Sequence, residues 1–193
     1  MTFFGILLLG VGGFAVYKFM KADVTAKPSS DFGGGAAAAL PPAGLNLKLN
    51  DVVRYLGDTY MVEGRLTLSE DGDTWWEYML VDGDEIRWLS VEDDDELEVA
   101  LWEEIDYPLS ADPPETIEWE GVSYRAVEKG KARVTRDGKS GRKEGMSCRY
   151  WDYEGAGGEM LAVESWSGDF EVSLGRELDE GTYEILSGEL VES

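Results

Sequence analysis

The chain has 193 residues, with 17 Lys/Arg against 40 Asp/Glu and a formal net charge of −23. Residues 1–49 hold four Lys and two Asp, so residues 50–193, with 13 Lys/Arg against 38 Asp/Glu, form a polyanion that argues against nucleic acid as a partner. His is absent, which removes the commonest general base and zinc ligand, and a lone Cys148 excludes an intrachain disulfide or a Cys-based metal cluster.

Residues 1–20 carry no ionised side chain from Thr2 to Tyr17. As a helix they would reach about 30 Å, one bilayer core. The side-chain cations Lys18, Lys21 and Lys27 all follow the apolar run, whereas a secretory signal peptide has its basic region before it. The positive-inside rule therefore predicts one uncleaved transmembrane helix in the cell membrane, with the body on the cytoplasmic face. Residues 21–46, rich in Ala, Gly and Pro, predict a flexible linker with a root-mean-square span of about 25–30 Å.

From residue 47 the pattern becomes short alternating runs of Trp, Tyr, Val and Leu broken by Gly and Asp, with no helical period. This predicts an all-β body. VRYLGDTY (53–60) aligns with IEWEGVSY (117–124), YMLVDGDEIRWLSVE (78–92) with YWDYEGAGGEMLAVE (150–164), and ELEVAL (96–101) with DFEVSL (169–174). The body thus reads as two copies of a roughly five-stranded antiparallel meander, residues 47–110 and 111–193, arranged as two small barrels or one shared sandwich.

Strands are expected near 51–56, 59–68, 74–82, 85–92 and 96–103 in the first copy. In the second they are expected near 115–120, 122–128, 131–136, 146–154, 158–165 and 169–175, with a last strand at 182–192. Asp82-Gly83 and Glu154-Gly155 are read as equivalent hairpin turns in which Gly supplies a positive φ.

LGDTYMVEG (56–64), WWEYML (75–80), RWLSVE (87–92), YWDYEG (150–155) and DFEVSLG (169–175) resemble a bacterial family catalogued as domain of unknown function 4178. The resemblance covers most of residues 47–192. It implies a membrane-associated protein without established activity, and it transfers no catalytic residue.

The acid run EDDDE (92–96) fails as an EF-hand: counting from Asp93, Glu98 stands where the loop requires Gly. Its counterpart in the second copy, ESWSGDFE, lacks the run, so a solvated strand-to-strand turn is expected. The stretch 125–149 is the exception in an acidic body, with nine Lys/Arg against three Asp/Glu. Its Lys129, Lys131, Arg133, Arg136, Lys139, Arg142 and Lys143 are candidates for contact with anionic lipid or an acidic partner protein. The bland alternative is charge that is solvated or folded onto the acidic first copy.

No cofactor, metal ligand set or catalytic constellation is implied. The reading is a membrane-tethered, non-enzymatic interaction module with a protein partner. Its competitors are a divalent-ion-dependent hydrolase using carboxylates and an exported acidic domain with calcium in its turns.

Overall fold

The computed structural model describes residues 41–94, 96–141 and 145–188. The expected helix 1–20, the linker as far as residue 40, Arg142, Lys143 and the end of the last expected strand lie outside them. Among the described residues no helix is long and apolar enough to cross a membrane.

Among the described residues eleven strands form one antiparallel sheet: β1 Val52–Tyr55, β2 Asp58–Glu70, β3 Asp73–Asp82, β4 Glu85–Asp93, β5 Leu97–Ile105, β6 Thr116–Trp119, β7 Val122–Gly138, β8 Ser147–Glu154, β9 Met160–Trp166, β10 Asp169–Glu177 and β11 Tyr183–Leu186. Their order is β11-β1-β2-β3-β4-β5-β10-β9-β8-β7-β6, and β2 also pairs with β7. That extra pairing closes β2-β3-β4-β5-β10-β9-β8-β7 into an eight-stranded barrel. Neither of the expected arrangements, two separate barrels or a sandwich, describes this ring.

Closure depends on two long strands that each serve two neighbours along one edge. The first part of β2 pairs with β1, and residues 64–69 pair with 133–138 of β7. The first part of β7 likewise pairs with β6. Each strand bends through a register shift, between Val62 and Gly64 in β2 and between Ala126 and Glu128 in β7. Gly64 faces Gly138 where the seam ends, and a Cβ on Gly64 would lie 2.1 Å from the Lys139 carbonyl oxygen.

Strand alternation then separates three cores. The rings of Trp75 on β3 and Tyr150 on β8, separated by β2 and β7, meet at 5.6 Å, so they lie on the concave inner side of the barrel. With them on that side are Leu66, Leu68, Ala132, Val134, Cys148 and Trp166. Trp76, Tyr78, Leu80, Leu89 and Val91 point outward and are covered by Leu45, Leu47, Val53 and Leu178. Trp151, Tyr153, Leu161, Val163 and Val172 are covered in the same way from Ile117 and Tyr124. The two outer cores repeat one device: the buried Tyr78 hydroxyl donates to the Leu45 carbonyl at 2.7 Å, and that of Tyr153 to the Pro114 carbonyl at 2.7 Å. Burial first of all pushes each phenol up to about 12.

Three expectations need correction. The strands expected at 122–128 and 131–136 are one strand, β7, because Gly130 makes no turn; its missing Cβ leaves room for the Tyr150 ring and the Glu70 carboxylate. The alignment of Tyr78 with Tyr150 is out of step. Tyr78 faces Leu89 and Tyr153 faces Leu161, so Tyr153 holds the corresponding place, ahead of a five-residue turn where the first half has two. In that longer turn Gly158 (φ 86°), not Gly155, takes the positive φ, whereas Gly83 (φ 58°) does so as expected.

The second seam, β5 with β10, sets Trp102 opposite Gly175, and a Cβ on Gly175 would stand 2.4 Å from the indole. Gly175→Ala is expected to lower the unfolding free energy by about 1–3 kcal/mol in denaturant melts, with partial recovery when Trp102→Ala is added. Simple additivity of the two losses would contradict this packing.

Candidate functional site: an outer basic row and an acidic inner face

In β7 the inward positions after Glu128 are Gly130, Ala132 and Val134, with Ala132 and Val134 buried in the inner core. The alternate positions, Lys129, Lys131 and Arg133, therefore project outward on one face, about 7 Å apart along the strand. All three are exposed. Arg149 of β8 stands opposite Lys131, and Ser147 and Ser69 flank Arg133 on its two sides. Arg149 is held in place, its Nη1 3.1 Å from Asp112 Oδ1 and its guanidinium 5.0 Å above the Trp151 ring. Among the described residues, no ion pair involves Lys129, Lys131 or Arg133.

The other sequence-nominated cations are not part of this row. Arg136 falls on the opposite alternation from Lys129 and donates from Nη1 to the Gly138 carbonyl at 3.1 Å. Lys139 lies beyond β7, with Nζ 3.4 Å from Glu63 Oε2. Arg142 and Lys143 lie outside the described residues. Arg149, absent from the nominated set, joins the row through its cross-strand place opposite Lys131; only the pairing of β7 with β8 could have found it.

The inner face has the opposite character. Glu92 faces Glu98 across β4 and β5, and Glu164 faces Glu171 across β9 and β10, on the same inward alternation as Trp75 and Trp166. Aromatic donors meet several inward polar groups: Trp75 Nε1 donates to Glu77 at 3.3 Å, Trp166 Nε1 to Glu164 at 3.0 Å, and Trp102 Nε1 to Ser90 at 2.9 Å. The Tyr150 hydroxyl donates to Glu70 Oε2 at 2.5 Å and lies 3.3 Å from Glu128 Oε1, while Glu70 Oε1 accepts the Lys131 backbone N–H at 2.8 Å. Burial and the bond to Glu70 push the Tyr150 phenol far above its usual range.

The acid run falls where one strand gives way to the next: Glu92 and Asp93 end β4, and β5 begins at Leu97. Its flanks, however, do more than face solvent. Burial, then the charges of Glu92, Glu177, Glu96 and Asp94, push the Glu98 carboxyl up to about 7. Among the described residues, no group of three or more His, Cys, Asp or Glu is placed to hold a metal ion.

Fold and surface together define a small all-β barrel protein with a basic row on an acidic body. Residues 48–180 match the family described as Domain of unknown function (DUF4178), and the chain belongs to it. It is similar to uncharacterised proteins of Mycobacterium bovis and of two strains of Mycobacterium tuberculosis. Each is 34% identical over 148 residues, covering 72% of this chain and 68% of the relative. No solved structure matches.

The raised Glu98 carboxyl makes a signed prediction. A carboxyl that binds its proton more tightly when folded favours the native state at low pH. Its share of stability is full below the unfolded value of about 4.5 and is lost as pH rises through about 7. Glu98→Gln should therefore gain melting temperature over the wild type at pH 8 and lose that advantage near pH 4. A difference that does not vary with pH would contradict the account.

Proposed function

We propose that this protein is a membrane-tethered, non-enzymatic module whose β7 row, Lys129, Lys131 and Arg133 with Arg149, contacts anionic headgroups at the cytoplasmic face. The observation that carries the reading is the row itself: three outward cations without ion pairs among the described residues, on a body whose sequence from residue 50 holds 38 acids. Such cations contribute about 1 kcal/mol each close to an anionic surface, and repulsion from the remaining acids is screened beyond about 8 Å at physiological ionic strength. The apolar run from Thr2 to Tyr17, followed by Lys18, Lys21 and Lys27, supports the tether and its orientation.

We also infer that the barrel arose by duplication of a five-stranded unit. Supporting this are the turn glycines Gly57 and Gly121 and the bulges after Val62 and Ala126, each pair separated by the same interval. The Tyr78 and Tyr153 hydroxyl bonds point the same way.

Residues 41–193 should sediment with vesicles containing anionic lipid and remain in solution with neutral ones. The combined Lys129→Glu, Lys131→Glu and Arg133→Glu variant should bind at least tenfold more weakly. Binding that ignores lipid charge, or that survives this reversal, would refute the headgroup contact. Capture by an acidic polypeptide in place of lipid would favour a protein partner for the same row. Protease added outside intact cells should leave the body intact, and its degradation would contradict the cytoplasmic orientation.

A further inference from the structure

Every strand of the barrel is paired along both edges, and so is β1, which lies between β2 and β11. Among the described residues β6 is paired along one edge only, with β7. The two strands are otherwise built alike. Each has four residues and enters its long partner through a two-residue turn at positive φ, Leu56 (51°) and Gly57 (103°) or Glu120 (49°) and Gly121 (86°). Val53 and Ile117 are fully buried at matching places, each followed two places on by an aromatic ring, Tyr55 or Trp119; β1 also buries Val52, where β6 has the exposed Thr116.

In such a hairpin the residues next to the turn bond to the hairpin partner, and alternate residues direct their N–H and C=O groups to the other edge. On β1 those residues are Val52 and Arg54, which face Leu186 and Glu184 of β11. On β6 they are Thr116 and Glu118, both exposed, and no strand pairs with them there among the described residues. The chain leaving β5 passes nearby, with the Tyr107 ring edge-on to Trp119 at 6.0 Å. It does not complete the edge. Pro108, Pro113 and Pro114 have no N–H to donate, and the Tyr107 N–H and Glu115 carbonyl bond instead to Ile105 and Ala126.

We propose that the free edge of β6 receives an extended segment of a partner protein as an added antiparallel strand, with a Lys or Arg opposite Glu118. The pairing already present on β1 supplies the template. There Arg54 meets Glu184 at 3.4 Å, between the flanking pairs Tyr55–Tyr183 and Val53–Ile185. On β6 the sign is reversed: Glu118 stands in the place of Arg54, with Glu115 and Glu120 close by in the chain. The segment that fits therefore reads aromatic, basic, β-branched, where β11 reads Tyr183-Glu184-Ile185. The same reversal disfavours β11 of a second copy, whose Glu184 would face Glu118. This interaction is independent of the basic row.

The test uses the full chain and two peptides spanning residues 180–188, one of native sequence and one with Glu184→Lys. The Lys peptide should bind about fivefold or more tightly than the native one at low salt and slow amide exchange at Thr116 and Glu118 but not at Arg54. Glu118→Lys in the protein should invert the preference. The proposal is overturned if neither peptide protects the β6 amides, if the preference ignores Glu118→Lys, or if the chain dimerises through β6 without peptide.

Discussion

The hydrogen bonding of β2 to β7 is the interaction on which the rest depends. Without it the chain would be an open sheet whose two halves meet at β5 and β10 alone. With it, eight strands close and the barrel itself has no free edge. The bulged bends in β2 and β7 make this possible, because each strand must leave the ring at its first part and join it at its second. What leaves the ring folds back over the outer surface and creates the two flanking cores around Tyr78 and Tyr153.

Closure also decides where charge can go. A strand with one face inside the ring must alternate small or apolar residues with outward ones, and on β7 the outward set is Lys129, Lys131 and Arg133. The acids that close the hairpins are divided in the same way. Glu92, Glu98, Glu164 and Glu171 fall on the inner alternation, where indole and phenol donors satisfy Glu164 and Glu70. The anionic character of the protein is therefore not confined to its outer surface, and the cationic row interrupts it on the outside.

Much of this was legible in local pattern. Most of the strands, the hairpin turn at Asp82-Gly83 and the place of the acid run between two strands follow from alternation and from Gly and Asp placement. The closure was not legible, since residues 64–69 and 133–138 carry no local mark that they pair across 60 or more intervening residues. Gly130 looked like a break because its role is to admit Tyr150 and Glu70, a contact between distant segments. Nearness in sequence groups seven cations, Lys129 to Lys143. Alternation separates Arg136 from Lys129, Lys131 and Arg133, strand end and Glu63 remove Lys139, and cross-strand pairing brings in Arg149.

Native-state amide exchange tests the closed ring most directly. If β2 and β7 close a single cooperative unit, the slowest amides of residues 64–69 and 133–138 exchange only through global unfolding, with the same free energy as the slowest amides between β3 and β4. If the seam opens at markedly lower free energy while each half keeps its protection, the halves are separate units and the account of the fold is wrong.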